Sequence, residues 1–485
     1  MSPADAGHCE PPATRRRAGL LLPVASLPEP GFGRAARDLL VFMARAGLSV
    51  WQVLPLGPTH ADGSPYQCLS SFALEPTLLD ERDLVDDPSF DRATPVVERR
   101  RGVGASRALR DAFEAFRRRE AAWLHDFCRF MVLRAEQGGR SWFDWPEALR
   151  DRHAEALAAC DREYGERLHA VAFEQFLLDR QWRAVREYAA ERRICLFGDL
   201  PIFVAGDSAD VWANPSLFDL DEAGQPSAVA GVPPDYFSDT GQRWGNPLFD
   251  FEHMARDDFA WWRSRLARHL ALYDWVRIDH FRGFAAYWAI PAAAEDATTG
   301  RWVDAPGDAL LASLRRVSEG ELPLVAEDLG VITPDVTALR DRFGLPGMTV
   351  LQFAFDGSED NPHRPEHHRE HGVVYTGTHD NDTTLGWWRT RDDGERARAH
   401  RELEAMLGID PATPMPDALV EAAWASRSAL AVVPVCDLLG LGSEARINVP
   451  GTIDGNWCWR LPPGMLDEAL AERTRERLAA HGRLT

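Results

Sequence analysis

Four short apolar runs in this chain each end in acids. Ile194 to Phe197 leads into Gly198-Asp199, Tyr273 to Ile278 into Asp279-His280, Leu324 to Ala326 into Glu327-Asp328, and Val373 to Tyr375 into His379-Asp380. A carboxyl group can attack carbon, donate a proton or accept one, depending on its charge state. One carboxylate kept ionised beside one kept protonated is the arrangement that cleaves glycosidic bonds. Arg277 stands two residues before Asp279, so in a strand both side chains point to the same side. A guanidinium there is expected to hold Asp279 ionised, as a nucleophile requires. A lone acid after a strand can instead cap the next helix. That reading suits Asp328 and Asp335, because a helix is expected near Thr333-Pro334. It does not account for Arg277, nor for the histidines beside two of the acids.

Such acids need strands to deliver them to one place. Short β-rich runs alternate with helical patterns along most of the chain, which predicts parallel strands joined by helices. The expected strands are Leu20-Leu21-Leu22, Val50 to Leu54, Ile194 to Phe197, Tyr273 to Ile278, Leu324 to Ala326, Thr349 to Phe353, Val373 to Tyr375 and Leu430 to Val433. Ala35 to Ala46 reads as a helix. These strands are nearly continuous apolar runs, as befits burial on both faces. The count points to a (β/α)₈ barrel, whose active site is built at the carboxyl ends of the strands. Residues 1–17 read as a disordered tail and 18–485 as one barrel. Insertions are expected at about 86–170 (helical), 214–251 (a long loop rich in Gly, Pro and aromatics) and 389–428 (helical).

Composition narrows the partners. The chain has 485 residues, long enough to bury a core unaided. Its net charge of −21 repels polyphosphate, so no nucleic-acid partner is expected. All 54 cationic residues other than histidine are arginine. The lack of lysine excludes Schiff-base chemistry and the phosphate-cradling lysine of P-loops. No apolar run reaches the roughly 18 residues of a membrane span. Arg15-Arg16-Arg17 before an apolar stretch resembles a signal peptide, but Pro23 interrupts that stretch and no small-x-small cleavage site follows. The seven cysteines, odd in number and without a CxxC pair, read as reduced thiols in a cytoplasm. His363, His367, His368 and His371 lie in a polar stretch with Pro and Glu and no pattern of residues to orient them on an ion, and no metal site is expected there.

The motifs closely resemble the signature segments of the 4-α-glucanotransferases (amylomaltases) of glycoside hydrolase family 77. The segments are Val276 to Gly283 (VRIDHFRG), Ala326 to Gly330 (AEDLG) and Tyr375 to Thr383 (YTGTHDNDT). The match extends through Trp51 to Pro58, Ser64 to Gln67, Gly198 to Trp212, Gly231 to Pro247, Glu444 to Asn448 and Gly455-Asn456-Trp457, covering nearly the whole chain in order. The resemblance implies a retaining enzyme that moves α-1,4-glucan segments between malto-oligosaccharides, without metal or cofactor. It implies Asp279 as nucleophile, Glu327 as acid and then base, and Asp380 as the group gripping sugar hydroxyls. Arg277 and His379 would support them. Asp207 would contact the donor sugar and Tyr66 would offer a stacking face. Trp244 and Asp235 would line the acceptor side, and Asp356 and Asn448 would also bind substrate.

Some positions depart from the family pattern. Pro23-Val24-Ala25 precede Ser26-Leu27-Pro28 where the family usually opens with His-Pro-Thr. Arg34 follows Gly31-Phe32-Gly33 where an Asp is usual, Glu75 stands in place of asparagine, and Cys436 in place of glutamine. None is one of the three acids, so they bear on chain-length preference rather than on reaction type. A hydrolase using the same acids with water as acceptor remains the alternative enzyme. A silent glucan-binding protein is the alternative outside enzymes. The sequence does not set the oligomeric state.

Overall fold

The computed structural model describes residues 9, 15–29, 31–234, 239–318, 320–452 and 454–484. Among the described residues, twelve strands form two sheets. In chain order they are β1 Arg17–Leu21, β2 Val50–Gln52, β3 Cys195–Pro201, β4 Ala228–Val232, β5 Gln242–Pro247, β6 Trp275–Asp279, β7 Ala286–Pro291, β8 Arg301–Asp304, β9 Leu324–Ala326, β10 Gly347–Val350, β11 Gly372–Tyr375 and β12 Leu430–Pro434. Eight of them pair in parallel in the order β10-β11-β12-β1-β2-β3-β6-β9. The ring closes where the Ala326 N–H donates to the Pro346 carbonyl at 2.9 Å. This is the (β/α)₈ barrel that the alternation of apolar runs and helical patterns implied.

Strand alternation sorts the side chains into two layers. Leu21, Val50, Cys195, Phe197, Trp275, Val325, Val373, Tyr375 and Val432 fill the barrel interior. Their neighbours along each strand, such as Leu20, Leu196, Val276 and Val374, pack outward against the helices. The long helix Gly165–Glu191 covers β3 and carries the fully buried Trp182.

Several expectations need correction. Arg17 already belongs to β1, so the first strand starts before residue 18. Apart from Cys9, Arg15 and Arg16, the expected tail before it lies outside the described residues. The cysteines are not all reduced, because Cys9 and Cys195 form a disulfide across 186 residues. No spacing rule could indicate this pair, since Cys195 reaches Cys9 only once β3 faces it into the barrel. Asp328 caps no helix. Its carboxylate accepts the Met348 N–H at 2.7 Å and pairs with Arg340, joining β9 to β10 where the barrel closes.

The segment 214–251 is more than a loop. Its β4 and β5 pair antiparallel, and with β7 and β8 they form a four-stranded sheet in the order β5-β4-β7-β8. These strands were invisible to periodicity because they are short and interrupted by Gly231, Gly245 and Pro247. Helices Arg107–Arg119, Leu124–Glu136 and Ala154–Glu163 stand between β2 and the Gly165–Glu191 helix, and Asp393–Leu407 and Asp417–Ala425 between β11 and β12.

Candidate active site

The same alternation that fills the barrel places acids on its rim. Cys195 and Phe197 point inward, and so the next residue of that parity, Asp199, does too. On β6 the inward series Trp275, Arg277, Asp279 ends in charge, and on β9 Val325 is followed by Glu327. Register puts Asp199 opposite Arg277. Pairing of Ile278 with Ala326 puts Asp279 and Glu327 at the ends of neighbouring strands, one strand spacing of about 5 Å apart.

Arg277 organises this cluster. Its Nη1 donates to both Asp199 oxygens at 2.9 and 2.7 Å, and its Nη2 meets Asp279 Oδ1 at 2.9 Å. The Tyr66 hydroxyl donates to Asp199 at 2.7 Å. Burial nevertheless pushes the Asp279 carboxyl up to about 6, with Arg277 opposing and Asp199 and Asp380 adding to the rise. The expectation that Arg277 keeps this acid fully ionised therefore holds only in direction: desolvation outweighs one shared guanidinium. Glu327 is pushed higher, to about 7, by burial and by the Asp279 charge. Arg277 opposes that rise, as do the His280 and Leu329 N–H groups that donate to Glu327 at 2.7 and 2.9 Å. His280 sits in the left-handed region at φ 55°, uncommon without a glycine. That turn aims its N–H at Glu327 while Asp279 stays on the rim.

Asp380 comes from the loop after β11. Burial opposes its ionisation, yet His379, Asn448 and Arg277 pull its carboxyl far below the usual range. His379 Nε2 lies 3.3 Å from Asp380 Oδ2, and Asn448 Nδ2 donates to Oδ1 at 2.6 Å. Burial would lower the His379 pKa, but Asp380 raises it overall, favouring the imidazolium. The loop is braced by Asp437, whose carboxylate accepts from Thr376 Oγ1 and from the N–H and hydroxyl of Thr384 at 2.6–2.7 Å. The Tyr66 ring stacks on His379 at 5.1 Å and 13°, with Trp457 at 5.8 Å from Tyr66.

Asp279, Glu327, Asp380, Arg277, His379, Asn448 and Tyr66 are thus brought together. Trp244, on β5, meets them through His280, whose ring it contacts edge-on at 4.8 Å. Asp207 stands apart, paired with Arg134 and accepting the Trp142 N–H at 3.2 Å. Asp356 is exposed and accepts the Ser358 N–H at 2.9 Å; among the described residues no contact joins it to the three acids. Asp235 lies outside the described residues. Asp199 and His280, which the sequence already placed at strand ends, and Trp457, within a family-like segment, gain their roles here only from the structure. Glu75 ties two turns together by accepting the N–H groups of Thr59 and Thr77, both at 3.0 Å.

A parallel (β/α)₈ barrel with three convergent carboxylates at the carboxyl rim, one shared arginine and aromatic walls fits the class of glycoside-cleaving enzymes. Comparison with known proteins narrows the class. The family model described as 4-alpha-glucanotransferase matches residues 22–467. A 4-alpha-glucanotransferase of Thermus thermophilus is 50% identical, over 97% of this chain and 99% of that protein. One from Synechocystis is 42% identical, over 94% and 96%. Among solved structures, an amylomaltase from Streptococcus agalactiae in complex with acarbose superposes with a TM-score of 0.89 at 32% identity, covering 97% of this chain and all of that one. The chain belongs to the 4-alpha-glucanotransferase family, glycoside hydrolase family 77.

Proposed function

We propose that the enzyme transfers α-1,4-glucan segments through a covalent glycosyl-Asp279 intermediate. Asp279 attacks the anomeric carbon while Glu327 gives its proton to the departing glycosidic oxygen. The donor's reducing-end fragment then leaves with a new 4-hydroxyl, and the transferred segment is held as an ester on Asp279. Glu327, now a carboxylate, takes the proton from an acceptor's 4-hydroxyl as that oxygen displaces Asp279, restoring both groups. Asp380, kept ionised by His379 and Asn448, accepts hydrogen bonds from hydroxyls of the sugar under attack.

The observation that carries this reading is the position of Asp279 and Glu327 on adjacent strand ends, with Glu327 holding its proton to higher pH. One strand spacing suits the roughly 5–5.5 Å between carboxyl groups of retaining enzymes. Asp207 belongs to the proposal as a donor-side contact and Asp356 as a further substrate contact, with Trp244 and Asp235 lining the acceptor side. We take the barrel with its insertions as one catalytic unit. Chromatography of products from maltotriose tests the reaction: glucose plus oligomers longer than the donor supports transfer. Glucose and maltose alone would make the enzyme a hydrolase.

The proposal also places the protein in the cytoplasm. Cys68, Cys128, Cys160, Cys436 and Cys458 are free thiols, which supports a reducing compartment, while the Cys9–Cys195 disulfide runs against it. No helix among the described residues is long and apolar enough to cross a membrane. Non-reducing peptide mapping of protein taken directly from cells decides the point, because a cross-linked Cys9 peptide would refute it.

A further inference from the structure

Behind the acceptor-side wall, the small sheet and the start of the helix Phe251–Arg256 line an open cavity of about 440 Å³, inside the range of small-molecule sites. Asp219, Asp250, Glu252 and Asp304 line it, together with Arg301 and Tyr287. Tyr287 is only 8% exposed. Burial is the first cause raising its phenol pKa, and the charges that act on it are those of Arg301, Asp219 and Asp250, all cavity residues. Tyr287 lines the cavity itself, on the side of these groups. Among the described residues its hydroxyl has no hydrogen-bond partner, and it is not one of the buried unpaired atoms, so it is open to whatever occupies the cavity. Arg301 likewise has no ion pair there despite the nearby acids.

The chemistry of the lining selects a ligand class. Four carboxylates against one arginine repel anions. A cation would need the acids to converge, yet among the described residues these carboxylates are not a group of three with oxygens within 4.8 Å of one another. Acceptors spread around a cavity, with a phenol and a guanidinium as donors, fit a neutral ligand with many hydroxyls. The position adds a link to the reaction. Tyr287 contacts Phe203 at 6.3 Å, Phe203 contacts Trp244 at 6.5 Å, and Trp244 contacts His280 beside the nucleophile.

We infer that this cavity is a second α-glucan site, which holds a segment of a long chain away from the bond being cut. This rests on the glucan-transfer reading above. It predicts that the cavity matters for long substrates and not for short ones. Tyr287→Phe and Asp304→Asn, made separately in the full chain, should each raise KM for soluble amylose about 3–10-fold, the scale of one lost hydrogen bond. Each should leave kcat/KM on maltotriose within about twofold, which also shows that the variant folds. In the inactive Asp279→Asn chain, maltoheptaose should titrate to two molecules per chain, and adding Tyr287→Phe should weaken one of the two. A single site per chain would overturn the inference. So would equal changes on amylose and maltotriose, or no change on either. An unmodified chain unable to turn over maltotriose would instead sink the glucan-transfer reading, a separate and recognisable result.

Discussion

Replacing Asp199 with asparagine separates two effects that usually travel together. The Asp199 carboxylate is fully buried and accepts two N–H bonds from Arg277 and one O–H bond from Tyr66. Asparagine keeps the shape but removes the charge and turns one acceptor into a donor facing Arg277. Breaking one side of a buried pair costs about 3–5 kcal/mol. The loss should fall near 3 kcal/mol, because Asp279 still partners the guanidinium. The charge effect has the opposite sign for catalysis. Asp199 and Asp279 flank one guanidinium, roughly 7 Å apart, so at an effective dielectric of about 20 their repulsion is on the order of 2 kcal/mol. That is between one and two pH units. Removing Asp199 should therefore lower the pKa of Asp279 from about 6 and move the acid limb of kcat/KM to lower pH, even as the protein becomes less stable. Denaturant unfolding and a pH profile on maltotriose read the two effects separately. An acid limb that moves upward, or a stability loss below about 1 kcal/mol, would refute the assignment of Asp199 as Arg277's main counter-charge.

Asp279→Asn should remove at least the roughly 10²–10⁴-fold that general acid–base assistance alone contributes, with the circular dichroism spectrum unchanged; residual turnover above about a tenth would reassign the nucleophile. The free-enzyme profile of kcat/KM should be a narrow bell. It falls below about 6 as Asp279 takes a proton and above about 7 as Glu327 loses one, and Glu327→Gln should abolish the alkaline limb of whatever activity remains. Trp244→Ala should cut use of sugar acceptors about 5–30-fold, the worth of one stacked ring, and raise hydrolysis relative to transfer several-fold. An unchanged ratio with both activities falling would leave Trp244 a purely structural role.

The primary structure alone indicated the barrel and the acids at four of its strand ends, while the resemblance singled out three of them. Continuous apolar runs such as Val373 to Tyr375 read as strands covered on both faces, although the expected run Thr349 to Phe353 turns into a 3-10 helix at Leu351. Period-two alternation carries inward parity from Trp275 to Arg277 and Asp279 wherever the strand lies. Those are local facts, readable without knowing the neighbours. Tertiary structure decided everything that depends on which strands become neighbours. Asp199 is Arg277's partner only because β3 lies beside β6, and Asp328 is a clasp between strands because β10 closes the ring there. Cys195 meets Cys9, and His280 meets Trp244, across gaps no spacing rule spans. The small sheet was not legible because Gly231 and Gly245 break β4 and β5, and antiparallel pairing with them is what draws β7 and β8 into the same sheet. The proton affinities were likewise undecidable from sequence, since Arg277 beside Asp279 argues for ionisation while burial, which exists only after folding, argues more strongly against it.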